Sequence, residues 1–218
     1  MALQNGPTRE RRPPEERRAQ LLEAANTVIN ARGFDGVTVR DVAREANVST
    51  GLLHHYFESF ADLLAAAFEH DASRDLERLS LAAQASPDPL RRLDRLVALY
   101  APLGDDPGWL IWFSAWSAAP RQPKLRATVA QLHHGWLKHF EEVLIEGVAS
   151  RQFTCPDPVG SARRIISLLD GLATQVVALR SFAATEVAGD IATAVAFETG
   201  LAPDDFPQIA QIGRSPAT

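Results

Sequence analysis

The sequence is poor in cysteine, in strand-like alternation and in long apolar runs, and each shortage removes a class of protein. Cys155 is the only cysteine, so no internal disulfide can form, and its setting, FTCPDP, reads as the edge of a loop in a reducing compartment. No apolar run approaches the ~18 residues needed to cross a bilayer, and the first twelve residues are polar and arginine-bearing, without the apolar stretch of a signal peptide. A cytoplasmic protein with no membrane partner is expected. β-branched residues rarely alternate with polar ones over four or more positions, which leaves little room for a sheet. Enzyme signatures are missing too: there is no HExxH, no Glu-x-x-His pair, no nucleophile elbow and no phosphate loop. Neither a cofactor nor an enzymatic activity is expected.

What the chain does hold is an ordinary globular composition, 46% hydrophobic and 22% charged, in 218 residues, enough for one large or two small domains. The net charge of −5 argues at first against a polyanionic partner. Its distribution argues less strongly. Up to Phe57 there are eight arginines against seven acids, five of those arginines within the first eighteen residues, while the remainder is net acidic.

Helical spacing runs throughout. From about residue 14 to 31, Leu21, Leu22, Ala25, Val28 and Ile29 form one stripe, and Gly33 supplies a stop. Thr38 is a natural N-cap with Asp41 three residues on, so a short helix from Val39 to about Ala46 should follow, ended by Asn47, which tolerates the left-handed region. Ser49 or Thr50 caps a third short helix through Phe57, and Ser59 a longer fourth reaching about Ala83. Prolines punctuate the rest. One helix runs from Pro87 or Pro89 to near Gly104, and a tryptophan-rich one closes at Pro120. A long one carries Leu125, Val129, Leu132, Trp136, Phe140, Val143 and Gly147. Another puts Ile165, Ile166, Leu169, Leu172, Val176 and Leu179 on one stripe, and the last is TEVAGDIATAVAFETGL, with a frayed tail from Pro203.

Two short helices joined by a tight turn and followed by a long helix make the helix-turn-helix pattern, whose second helix enters a major groove. Val42, Ala43, Ala46, Val48, Leu53 and Phe57 supply its small core. The second helix begins with Ser49, Thr50 and Gly51, small enough for close approach to base edges. Their hydroxyls and free N–H groups, at the positive end of the helix dipole, suit phosphate oxygens. The stretch TVRDVAREANVSTGLLHHYFESFADLL resembles the DNA-binding domain of the TetR family of bacterial regulators, over about residues 17 to 64. The variant STG-LL-HHYF, with the spaced tryptophans after it, is most similar to the branch that includes regulators of choline-to-betaine genes.

That resemblance implies an all-α fold of about nine helices. A flexible basic arm spans 1–14, a three-helix DNA-binding domain 15–62, a helical ligand-binding and dimerisation domain 63–202, and a tail 203–218. It implies a transcriptional regulator, most often a repressor, acting as a homodimer on a pseudo-palindromic double-stranded operator with half-sites ~34–36 Å apart. Thr38 would cap the second helix and touch a phosphate, and Arg40 would reach a phosphate or a guanine. Thr50, Gly51, Leu52 and His55 would face the groove, and His54 and Tyr56 would hold the backbone. Two departures stand out. His54 replaces the usual tyrosine, and Phe60 replaces a lysine expected to contact a phosphate, for which the N-terminal arginines offer a substitute.

Adjacent helical residues diverge by ~100°, and neither His54 nor His55 has a partner for a metal on its own face; the same holds for His133 and His134, although His133 also suits a core or a pocket. Glu58 and Asp62 read as a solvated face and a cap. Trp109, Trp112, Phe113, Trp116 and Trp136, with His133, form either plain core or a pocket for an aromatic or cationic effector, since ring faces attract cations. The last two helices carry Ala162, Gly171, Ala173, Ala188, Ala192 and Ala194, suited to a four-helix bundle with a second copy or to burial within one subunit. Two other classes stay open: a helical protein-binding module with vestigial DNA binding, supported by Phe60 alone, and an all-α enzyme.

Overall fold

The computed structural model describes residues 13–102 and 107–212. Arg9, Arg11 and Arg12 of the basic arm, and residues 213–218 of the tail, lie outside them. Among the described residues there are nine α-helices, a few single helical turns and no strand.

Helix α1 (Pro14–Arg32) starts with proline in its first turn and Glu15 and Glu16 beside the positive end of its dipole. It stops at Gly33, whose φ of 71° lies where glycine is at ease and whose N–H donates to the Ile29 carbonyl. In α2 (Val39–Glu45) the expected capping box is complete: the Asp41 N–H donates to Thr38 Oγ1, and the Thr38 N–H donates to Asp41 Oδ2. Asn47 then takes φ 53° and turns the chain. Helix α3 (Thr50–Tyr56) follows Ser49, which holds the N-cap position but makes no side-chain cap hydrogen bond, contrary to the expectation that it caps. In α4 (Phe60–Gln84) Ser59 does cap, accepting the Asp62 N–H. Helix α5 (Pro89–Tyr100) ends short of Gly104 because Ala101 precedes Pro102 and is driven into extended backbone, ψ 144°. Then come α6 (Pro107–Ala118), α7 (Pro123–Ala149), α8 (Pro158–Ala173) and α9 (Ala184–Thr199).

Two buried clusters organise these helices. One joins α1, α2, α3 and the first half of α4 to one face of α6 and the start of α7, around Leu21, Phe34, Leu63, Phe68 and Trp112. The other fills the space among α5, α7, α8 and α9, around Leu96, Phe140, Ile165 and Val195. Trp116 packs against both. The two units are therefore joined by α4, α6 and α7 rather than by a loose linker.

Two expectations need correction. The predicted stripe holds inward through Val176 but not at Leu179: a π-helical turn over Thr174–Ala178 widens the backbone after Ala173, so that Val176 and Val177 go inward and Leu179 is exposed. Residues from Pro203 do not fray within the described part. Phe206, Ile209 and Ile212 are buried, and the Asp94 carboxylate, only 2% exposed, accepts the N–H groups of Gln208 and Ile209 at 3.0 Å each. Of the two placements open for the small-residue stripe, burial within one subunit holds for Ala162, Ala173, Ala188 and Ala192, which are core residues of this chain.

Candidate nucleic-acid interface and effector cavity

The expected reading residues gather on one outward surface. Thr50, Gly51, His54 and His55 are exposed and Leu52 and Tyr56 half-buried, while Leu53 and Phe57 turn into the core and anchor α3 from behind. A Cβ built on Gly51 would meet only Ser49 Oγ, at 3.9 Å. Nothing inside the protein demands glycine there. Ser49 is exposed beside it and makes no cap hydrogen bond. His55 and Tyr56 pack edge to face, centroids 5.4 Å apart.

Next to this helix, Thr38 and Arg40 are exposed at the start of α2. Asp41 organises the corner: Arg44 and Arg32 reach its carboxylate at 2.6 and 3.0 Å. The Thr38 hydroxyl bond, with those two arginines, holds the Asp41 carboxyl below the usual carboxylate range. Of the N-terminal arginines, Arg18 lies over the Phe57 ring at 5.3 Å. Arg17 donates to Gln20, whose amide donates to the Ala46 carbonyl, so both are seated along the helix-turn-helix. Phe60 does not point outward as a lysine would. Half-buried, it lines a groove with Phe34, Val37, Ala61, Leu64 and Pro123, between the turn that precedes α2, the start of α4 and the start of α7. The departure at position 60 thus has a packing role in this protein.

The tryptophans divide. Trp109, Trp112 and Trp136, with His133, line a cavity of about 170 Å³ together with Leu79, Leu99, Tyr100, Asp75 and Arg78. Phe113 and Trp116 do not line it. They stand behind, Phe113 tilted on Trp109 at 5.8 Å and Trp116 on Trp112 at 5.8 Å. Tyr100 was not anticipated. It sits where the wall turns, edge to face with Trp109 at 5.4 Å and with Trp136 at 4.8 Å. Its hydroxyl donates to Asp170 Oδ1 at 2.7 Å, and His133 Nε2 lies 3.5 Å from Asp170 Oδ2. Burial, then the Asp170 charge, push the Tyr100 phenol well above its usual value, so it stays protonated. Trp136 Nε1 is buried without a hydrogen-bond partner among the described residues. The wall is therefore largely aromatic, with the Asp75–Arg78 ion pair among its lining, the Asp170 carboxylate one layer back on the Tyr100 hydroxyl and one unsatisfied donor.

A helix-turn-helix in a three-helix unit, packed through shared helices against a helical unit with an aromatic cavity, is the architecture of a ligand-responsive class of DNA-binding regulator. Comparison with known proteins agrees along the chain. Residues 21–67 match the family model for bacterial regulatory proteins of the tetR family, and residues 89–197 match the C-terminal domain of BetI-type transcriptional repressors. The HTH-type transcriptional regulator BetI of Paraburkholderia phymatum is 33% identical over 168 residues, 72% of this chain and 80% of that one. This protein belongs to the TetR family of transcriptional regulators. Among solved structures, a transcriptional regulator from Saccharomonospora viridis in complex with choline superposes with a TM-score of 0.68 and 28% identity, over 74% of this chain and 85% of that one. A Pseudomonas aeruginosa regulator reaches 0.71 at 23% identity over 94% and 96%, a likeness of fold. Among the described residues no helix is long and apolar enough to cross a membrane.

Proposed function

We propose that this chain is a cytoplasmic repressor that binds its operator as a homodimer and releases it when a small quaternary amine of the choline type enters the aromatic cavity. The cavity carries this reading. Four aromatic side chains, Tyr100, Trp109, Trp112 and Trp136, line a space of about 170 Å³, below the ~300–1,000 Å³ typical of drug-sized ligands. Their faces attract a cation at ~0.5–2 kcal/mol per favourable contact when water is excluded, and Asp170 adds negative charge from behind Tyr100. The orphaned Trp136 N–H would be satisfied by a ligand oxygen such as an alcohol. The relative crystallised with choline supports the same chemistry.

The test pairs choline with its uncharged carbon isostere. Choline should quench tryptophan emission, raise the melting temperature and weaken the gel shift of a duplex taken from the chain's own upstream region. The isostere should bind at least about ten-fold more weakly, the scale of lost cation–π contacts. Equal binding of both, or no response to either, would rule out a cation cage.

A further inference from the structure

The DNA-reading helices and the cavity share one connector, α6. Its first turn and a half supplies Trp109 and Trp112 to the cavity wall. Two residues beyond Trp112, Ser114 Oγ accepts the N–H of Phe34, in the turn between α1 and α2, at 3.0 Å. The seat is close: a Cβ on Gly33 would come within 3.1 Å of the same Ser114 oxygen. An aromatic run joins the same two places, since Trp112 meets Phe68 edge to face at 4.9 Å and Phe68 meets Phe34 likewise at 5.9 Å. On the flank, Arg121 pairs with Asp35 and Lys124 with Asp62, tying the segment after α6 to the Phe34 turn and to the start of α4.

From this geometry we infer that Ser114 is the positioning residue that couples the cavity to the operator. It fixes the turn preceding α2, and through α2 the recognition helix α3, to the helix that forms the cavity wall. The inference rests on the regulator reading above. The ion pairs do not serve the same end: both are at least partly exposed, such pairs contribute little, and long side chains follow a moving partner. A serine hydroxyl has a single short reach. A shift of α6 by about an ångström takes 3.0 Å beyond hydrogen-bonding range, so either the bond breaks or the turn moves with the helix. Binding coupled in one direction is coupled in the other, so operator binding must alter the cavity wall.

That reciprocity gives a test that needs no effector. All four tryptophans, at 109, 112, 116 and 136, lie outside the helix-turn-helix. The full chain is titrated with the upstream duplex, and tryptophan emission, excited at the red edge where DNA does not absorb, is read with acrylamide quenching. In the wild type, operator binding changes the accessibility of the tryptophans. Ser114→Ala should still shift the duplex, with Kd within about three-fold of wild type, the scale of a near-neutral substitution, yet lose at least half of that change. Ser114→Thr, which keeps the hydroxyl, should retain it. Should Ser114→Ala melt too low to assay, Ser114→Cys, of similar shape with a far weaker acceptor, carries the same expectation. A full response in the alanine variant, or a gel shift without any response in the wild type, overturns the role of Ser114 alone. Absence of any gel shift refutes the regulator reading, and this inference with it.

Discussion

Gly51 occupies the second position of α3 and faces outward into open space. Replacing a helical glycine stabilises by up to ~1 kcal/mol, so Gly51→Leu should leave the melting temperature unchanged or slightly raised. The same side chain would stand between α3 and the groove, and operator binding should weaken by ~1–3 kcal/mol, the scale of a lost base contact. Calorimetry and a gel shift on one preparation check both halves; loss of stability, or intact DNA binding, would place Gly51 elsewhere than at the interface. The exposure of Thr50, Gly51, His54 and His55 over a buried Leu53 and Phe57 agrees with the placement that the family resemblance implied for them. The cavity was legible in part. Trp109, Trp112, Trp136 and His133 come together, whereas Phe113 and Trp116 point behind the wall. Tyr100 was missed because it stands on a different helix, near its end, where no sequence spacing links it to the tryptophans.

Among the elements, the least legible was the segment after α9. Proline and acidic residues at 203–205 look like a chain end, yet Phe206, Ile209 and Ile212 are buried and Asp94, 114 positions before Gln208 in α5 as a lone acid on an apolar face, receives two of the segment's N–H groups. Only the tertiary fold pairs them. Asp94→Ala leaves those two donors unsatisfied at ~1–3 kcal/mol each, and urea denaturation should register a loss of that order. Burial raises the Asp94 carboxyl above its usual value in spite of those donors. A raised folded-state value means its contribution is fully present below the unfolded value of ~3.9 and is lost as pH rises through the folded one. The alanine variant should lack that slope. The helix α8 was foreseen but not its π-turn, since a one-residue widening changes no residue type and leaves the apolar count intact.

At the scale of the whole molecule, the buried alanines of α8 and α9 shift attention to the opposite faces of those helices. Ser167 and Gly171 on α8, and Gly189, Thr193 and Phe197 on α9, follow one another in steps of four and are exposed, Phe197 by 84%. A Cβ on Gly171 or Gly189 would meet nothing within 4 Å, which leaves room for a second backbone to approach. This is the face on which a second copy would sit across a two-fold axis. Phe197→Glu, buried twice per dimer, should shift the mass measured by light scattering from two chains towards one, with each lost phenyl contributing ~1.5–3 kcal/mol. A wild type that scatters as one chain at micromolar concentration, or a variant that remains paired, would move the interface elsewhere.

The recognition helix has one further consequence. Thr50, Gly51, His54 and His55 contribute nothing to the core, whereas Leu53 and Phe57 hold the helix in place. Changes at the four outward positions therefore carry almost no folding cost. With these positions reading the operator as proposed, operator preference would drift by single substitutions while stability and the cavity are inherited unchanged, so a new promoter could be adopted without relearning the signal it obeys.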